Sequence, residues 1–265
     1  MNTVKVGQSA DPETQGIERY DLGNLILWDT PGLGDGEEAD KRHTRAIVEK
    51  LAETDDEDRP LIDLVLVILD ASSKDLGTSY QLINKVIIPA LNDDSERILI
   101  ALNQADIAMR GGNHWNYEEN RPDDTLKAFL DEKVKSIANR IKEATGLSVS
   151  PIYYCSGYKE NGDAQMDPYN LSKLLYYIVS KIPAEKRVAF VGVLNDDPDM
   201  WEDDDGEENY KVGFFTKVGD SIKECADYAG EELEACIGWP GKVIGSLIGG
   251  TFGLVVGVID AILDH

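Results

Sequence analysis

Short β-rich runs alternate with amphipathic helical patterns from Ile17 to about Ile182. This alternation is typical of βαβ units around a mostly parallel sheet. The runs that predict strands are almost continuously apolar, as expected when helices cover both faces of a sheet. Strands are predicted at 25–28, 61–69, 98–102 and 149–154, and helices at 39–53, 78–91, 124–144 and 168–182. The sequence therefore predicts an α/β fold.

Two of the predicted helices carry clear end signals. Gly146 stands just past the helix at 124–144, where a glycine typically ends a helix. Asp167 is the predicted N-cap of the helix at 168–182, with Pro168 at the first helical position. Apolar residues at helical spacing form a stripe along the helix at 124–144: Leu126, Phe129, Leu130, Val134, Ile137 and Ile141.

The charge of the chain excludes one broad class of function. Fifty Asp and Glu residues against 26 Lys and Arg give a formal net charge of −24, which repels phosphate backbones and anionic lipid headgroups. Direct nucleic-acid binding is therefore not expected. Three cysteines without a CxxC pair, and a start without a secretion signal, predict a cytoplasmic protein. The three histidines are scattered, so the sequence gives no support for a zinc site.

Polar motifs follow two of the predicted strands directly. Asp29-Thr30-Pro31-Gly32 follows the strand at 25–28, and an Asp there can hold a magnesium ion while a Gly lets its backbone N–H approach a phosphate. Asn103-Gln104-Ala105-Asp106 follows the strand at 98–102, and its carboxylate can accept hydrogen bonds from N1–H and the exocyclic amine of guanine. Parallel strands end at one sheet edge, so both motifs are expected there.

A third motif, Cys155-Ser156-Gly157, closes the strand at 149–154 and offers a small residue and a backbone N–H to a base carbonyl. Each motif alone is equally consistent with a plain strand-to-loop turn. Three of them in this order resemble a G domain over about residues 1–182. The chain resembles Era-like bacterial GTPases of the translation-factor-related class, and among them the small GTPases of prophages and genomic islands often labelled 50S ribosome-binding.

The resemblance implies a P-loop GTPase-like (Ras-like) fold, with a mostly parallel sheet and helices on both faces. It also implies GTP or GDP as ligand and Mg²⁺ as cofactor. By resemblance Asp29, Thr30, Pro31 and Gly32 form the magnesium and γ-phosphate motif. The guanine contacts implied in the same way are Asn103, Gln104, Asp106, Ser156 and Gly157.

Several residues depart from the family pattern or match it weakly. Gln104 stands where the family usually has Lys, and a Gln stem can still lie over the base. Leu33 follows Gly32 where some GTPases have a water-orienting Gln, so slow hydrolysis is expected. Thr14 is the candidate switch threonine that meets magnesium, but a Thr near Pro12 is equally expected in a turn.

The phosphate-binding loop of the family, G-x-x-x-x-G-K-[S/T], does not occur in this sequence. Gly241-Lys242 is followed by Val243, and Cys236 stands where the first glycine belongs. The chain is therefore expected to match the family from the first switch onward, without the opening strand and P-loop. Weak or absent GTP affinity follows. The strands that end at Asp29 and Asp70 are expected either to pair directly or to leave the fold marginally stable.

Beyond the G-domain region, 1–185, the sequence predicts an apolar strand and acidic linker at 186–212 and a helical tail at 213–265. Nine of the thirteen residues at 196–208 are acidic, which predicts a solvated linker. An amphipathic helix is predicted at 214–233. Glycines then recur at every fourth residue within an apolar stretch: Gly241, Gly245, Gly249, Gly253 and Gly257.

Helical spacing places these five glycines on one face, where another helix can approach closely. Three alternatives remain open: packing on the G domain or self-association, insertion into or peripheral attachment to the inner membrane, and a flexible end. The expected function is GTP binding, with catalysis uncertain. The alternative is a non-catalytic interaction protein that uses the remaining fold and the tail to bind a full-length paralogue, a membrane or another partner.

Overall fold

The most buried strand of the protein is Ile98–Asn103, in which residues 98–102 are all at most 1% exposed. It lies in the middle of a three-stranded parallel sheet. The computed structural model describes residues 16–22, 25–31, 36–109, 111, 114–157, 167–193 and 205–229. The chain forms two compact units, Met1–Tyr154 and Cys155–His265.

Seven strands lie in the described part of the first unit: β1 (Glu18–Leu22), β2 (Leu25–Asp29), β3 (Val65–Asp70), β4 (Ile98–Asn103), β5 (Trp115–Asn116), β6 (Arg121–Pro122) and β7 (Ile152–Tyr153). The parallel sheet has the order β3-β4-β7. Its register pairs Val65 with Ile98 and Asp70 with Asn103. β1-β2 and β5-β6 are separate antiparallel pairs. The protein is therefore a mixed α/β fold, as the sequence predicts.

The helices of the first unit are α1 (Glu37–Leu51), α2 (Gly77–Leu82), α3 (Ile88–Ala90) and α4 (Asp124–Thr145). A π-helical turn, Ile83–Ile87, joins α2 to α3, and α1 and α4 both pack against it. The C-terminal end of α4 is the one that the sequence predicts, because Gly146 follows the helix in the left-handed conformation. At the start of the helix, Asp123 caps the first turn by accepting a 2.8 Å hydrogen bond from the Leu126 N–H.

The β1-β2 hairpin contacts α1 through one aromatic ring. The Nζ atom of Lys50, near the end of α1, lies 3.8 Å from the ring centroid of Trp28, and the Arg19 guanidinium lies 5.7 Å from it. An indole face attracts cations because of its quadrupole. This contact holds β2 against α1 although no strand of the parallel sheet pairs with β2 among the described residues.

The second unit contains α5 (Leu171–Lys181), a 3₁₀ helix at Ala184–Val193 and α6 (Tyr210–Ala229). α5 and α6 pack closely where Gly213 lies under the ring of Tyr176; a Cβ atom there would lie 2.8 Å from the Tyr176 Cε2. Lys173 on α5 donates to the buried carboxylate of Asp205 at 2.6 Å. Ring packing thus joins the two helices, and an ion pair ties α5 to the segment before α6.

Several sequence predictions for this unit are wrong. Asp167 is not an N-cap and Pro168 is not helical, because Tyr169 exchanges backbone hydrogen bonds with Cys155 and keeps the chain extended. α5 starts at Leu171, after Asn170 in the left-handed conformation. The predicted strand after residue 186 is a 3₁₀ helix. Asp205 does not lie in a solvated linker as predicted, because its side chain is only 1% exposed.

Strand predictions in the first unit are partly wrong. The strand predicted at 61–69 begins at Val65, and only Ile152–Tyr153 of the one predicted at 149–154 is a strand. The strands that end at Asp29 and Asp70 do not pair directly, because they belong to different sheets.

Some of the predicted features lie outside the described ranges. These are Thr14, Gly32 and Leu33, residues 196–204, and the five glycines from Gly241 to Gly257. Their predicted roles, including self-association and membrane attachment, stay predictions. Within the described ranges, no helix combines the length and the apolar character that crossing a membrane requires.

Candidate functional site

A polar turn follows β4 at the carboxyl end of the parallel sheet. The Oδ1 atom of Asn103 accepts a 2.8 Å hydrogen bond from the Gln104 N–H, and Gln104 has φ 62° and ψ 41°. Ala105 is fully buried, and its N–H donates to the carbonyl of Tyr154 at 3.2 Å. A non-glycine residue in the left-handed region is held there only by its surroundings. These two hydrogen bonds provide that support.

The turn orients the predicted base contacts in distinct ways. Gln104 is exposed and Asp106 is half-buried, so both side chains reach the surface at the carboxyl end of β4. Asn103 uses its side-chain oxygen within the turn and so acts here as a positioning residue. The turn places the Asp106 carboxylate on a hydrogen-bonded backbone, and a carboxylate has enough lone pairs to accept from a ligand that presents paired N–H donors.

A second loop lies beside this turn. The Ala71 N–H, directly after β3, donates to the Asn103 carbonyl at 2.8 Å. Asp70 accepts from the Ser72 N–H at 2.7 Å, and Asp75 accepts from the Gly77 N–H at 2.9 Å. The loop at 71–76 is therefore held by the carboxylates of Asp70 and Asp75 and by the end of β4.

Lys133 on α4 fixes the same loop from the other side. Its Nζ donates to the carbonyl oxygens of Ala71 at 2.5 Å and Ser73 at 2.7 Å. Partial burial lowers the pKa of Lys133 below its usual range, and the nearby Asp70 carboxylate opposes this shift. No sequence motif singled this residue out. A signal was nevertheless present: Lys133 lies three residues after Leu130 and four before Ile137, on the buried side of α4.

The structure does not place the Asp29 motif in the sheet of β4. Asp29 ends β2, which pairs only with β1 among the described strands, so the expected common sheet edge is wrong for this motif. Asp29 is half-buried, Thr30 is exposed and Pro31 is buried. One carboxylate is compatible with Mg²⁺ that is held mainly by phosphates and water. Within the described ranges, no three His, Cys, Asp or Glu side chains form a metal-ligand group.

Ser156 and Gly157 belong to the second unit. Ser156 is exposed, and Gly157 is buried with φ 73°, a conformation that favours glycine. The preceding Cys155 is fixed by its backbone pairing with Tyr169.

Comparison of the chain with family models, with curated proteins and with solved structures finds no match in any of the three. Support for a function therefore comes from the motifs and from the geometry of the turn after β4.

Proposed function

We propose that this protein is a GTP-binding protein of the Era-like class, with a Ras-like sheet around β4. The observation that carries the proposal is the turn at Asn103–Asp106. It lies at the carboxyl end of the most buried parallel strand, where α/β folds bind ligands. Its backbone is held in a left-handed conformation by the Asn103 side chain and by the Tyr154 carbonyl.

In this proposal the Asp106 carboxylate accepts from N1–H and the exocyclic amine of guanine, a donor pair that adenine lacks. The stem of Gln104 covers one face of the base. Ser156 and Gly157 supply the last base contact. The proposed role of Asp29, with Thr14, is to bind a magnesium ion that accompanies the phosphates, and Gly32 contacts the γ-phosphate.

We propose weak affinity for this 265-residue chain. No G-x-x-x-x-G-K-[S/T] loop occurs in it, and the net charge is −24. In sites with that loop, a lysine and a nest of backbone N–H groups neutralise the phosphates. Contacts to the base alone give selectivity for guanine, but they do not neutralise the negative charge of three phosphates. We expect slow hydrolysis, because Leu33 stands where some GTPases have a water-orienting Gln.

Calorimetric titration with GTP and magnesium tests the proposal. The decisive variant is Asp106→Asn, which exchanges an acceptor for a donor and so favours XTP over GTP. Asp56→Asn, an exposed position away from β4, is the matched control. The proposal predicts binding weaker than about 10 μM, with a base preference that moves to XTP only in Asp106→Asn. Equal binding of GTP and ATP by the unmodified chain would contradict it.

A further inference from the structure

Helix α4 contacts both neighbours of β4 in the parallel sheet. Lys133 donates to the carbonyl oxygens of Ala71 and Ser73, in the loop after β3. Asp131 accepts a 3.1 Å hydrogen bond from the hydroxyl group of Tyr153 in β7. Side chains two positions apart on a helix point about 200° away from each other. One flank of α4 therefore holds the loop after β3, and the other flank holds β7, with β4 between them.

Each of these contacts continues through one backbone hydrogen bond to the turn after β4. On the β3 side, the Ala71 N–H donates to the Asn103 carbonyl at 2.8 Å, so both backbone polar groups of Ala71 are bonded. On the β7 side, the carbonyl of Tyr154 accepts from the Ala105 N–H at 3.2 Å. Ala71 and Ala105 are 0% exposed. The turn is therefore held both at the residue before Gln104 and at the residue after it.

The side chain that this turn presents to a base in the proposed site is Asp106, the residue after Ala105. Its carboxylate accepts from N1–H and from the exocyclic amine of guanine together only when it is aligned with the base, because hydrogen bonds weaken steeply as their angles close. Hypoxanthine keeps N1–H but lacks the amine. The preference for GTP over ITP therefore measures how well the turn aligns Asp106.

We propose that Lys133 and Asp131 are positioning residues for guanine recognition, which hold the turn after β4 from its two sides without contacting the nucleotide. This inference rests on the proposed GTP binding and names what sets its base selectivity. Lys133 acts through Ala71 on Asn103. Asp131 acts through β7 on Ala105.

Calorimetric titration of the full chain with GTP and with ITP, both with magnesium, tests the inference. The unmodified chain is expected to prefer GTP at least about tenfold, because ITP loses one hydrogen bond to a charged acceptor. Lys133→Met and Tyr153→Phe are each expected to lower this preference below about threefold. Lys133→Arg keeps donors for both carbonyls and should retain it. Lys135→Met removes the same charge from an exposed position of α4 and is the matched control with full preference.

The ratio of the GTP and ITP affinities separates positioning from a loss of stability. Partial unfolding weakens both nucleotides by the same factor, because only the folded fraction binds. Hydrogen exchange without nucleotide gives a second reading. In Lys133→Met, exchange of the Ala105 N–H should accelerate at least about threefold more than that of Ile100 in the middle of β4.

Full preference for GTP in Lys133→Met or in Tyr153→Phe would overturn the positioning role of that flank of α4 while leaving GTP binding in place. Equal acceleration of exchange at Ala105 and Ile100 would overturn the role of Lys133, since it would show a loss of global stability alone. Absence of any GTP preference in the unmodified chain would instead overturn the proposed function, and this inference with it.

Discussion

The Nζ atom of Lys133 donates to the backbone carbonyl of Ala71, 62 residues earlier in the sequence. Through this bond and a second one to Ser73, α4 fixes the loop that follows β3. The same loop donates from the Ala71 N–H to the carbonyl of Asn103. The position of the turn after β4 therefore depends on a lysine outside the three motifs.

We expect Lys133→Met to destabilise the first unit by about 1–2 kcal/mol, because two hydrogen bonds to a charged group are lost from a half-buried position. Amide hydrogen exchange at Ser72 and Ser73 should become faster in the same variant. Urea unfolding and hydrogen exchange measure the two effects. Lys135→Met, on an exposed part of the same helix, should change stability by less than about 0.5 kcal/mol. Equal losses in the two variants would contradict the structural role of Lys133.

The ion pair between Lys173 and Asp205 predicts a larger effect in the second unit. The Lys173 side chain is 12% exposed and that of Asp205 is 1% exposed. Burial alone lowers the pKa of Lys173, but hydrogen bonds to Asp205 and Glu207 outweigh it and raise the pKa overall. Lys173→Met leaves a buried carboxylate without its cation and should cost about 3 kcal/mol.

Thermal unfolding of Lys173→Met, of Asp205→Asn and of the double variant measures this coupling. The double variant should be more stable than the sum of the two single losses indicates. Lys223→Met is the control, because Lys223 makes an exposed 3.7 Å pair with Asp220 and should change stability by less than about 0.5 kcal/mol. Additive losses would show that the pair is not coupled.

Two glycines of α6 should respond to alanine in opposite directions. A Cβ atom at Gly219 would meet no other atom within 4 Å, so Gly219→Ala should stabilise the helix by about 0.5–1 kcal/mol. In Gly213→Ala the new Cβ lies 2.8 Å from the Tyr176 ring. We expect a net loss of about 1 kcal/mol, since the clash exceeds the gain in helix propensity.

Chemical denaturation of both glycine variants gives the comparison. Adding Tyr176→Leu to Gly213→Ala should recover part of the loss if the ring is its cause. A stabilised Gly213→Ala would show that α5 and α6 do not need the close approach at this position.

Asp123 makes the stability of α4 dependent on pH. Hydrogen bonds from the Leu126 N–H and then from His114 lower the pKa of Asp123 below its ordinary value. The stabilisation is therefore fully present above the ordinary pKa of 3.8 and is lost as the pH falls through the lowered value.

Asp123→Ala should lower the midpoint of urea unfolding at pH 7 and at pH 5. Its deficit relative to the unmodified chain should shrink below about pH 3.8. Asp124→Ala is the control, because the Leu126 N–H donates its capping hydrogen bond to Asp123 and not to Asp124. A deficit that stays constant from pH 7 down to about pH 2 would contradict the assignment.

Two elements with local sequence signals are predicted correctly. The sequence predicts a helix at 124–144, and the structure has Asp124–Thr145. It predicts a strand at 98–102, and the structure has Ile98–Asn103. These predictions rest on signals within a single element: the apolar stripe and the C-terminal glycine of α4, and the continuous apolar run of β4. The Asn103–Asp106 motif was likewise visible, because its residue types adjoin a predicted strand.

Which elements come into contact depends on long-range interactions. Tyr169 pairs with Cys155, so α5 starts later in the sequence than predicted. Asp205 is buried because it forms an ion pair with Lys173. The Asp29 and Asn103 motifs are not at one sheet edge, because β2 and β4 belong to different sheets. Lys133 stabilises a loop by donating to the Ala71 carbonyl, 62 residues earlier in the sequence. Each outcome depends on contacts distant in sequence, and local propensity carries no information on which partner a backbone group or a charge will find.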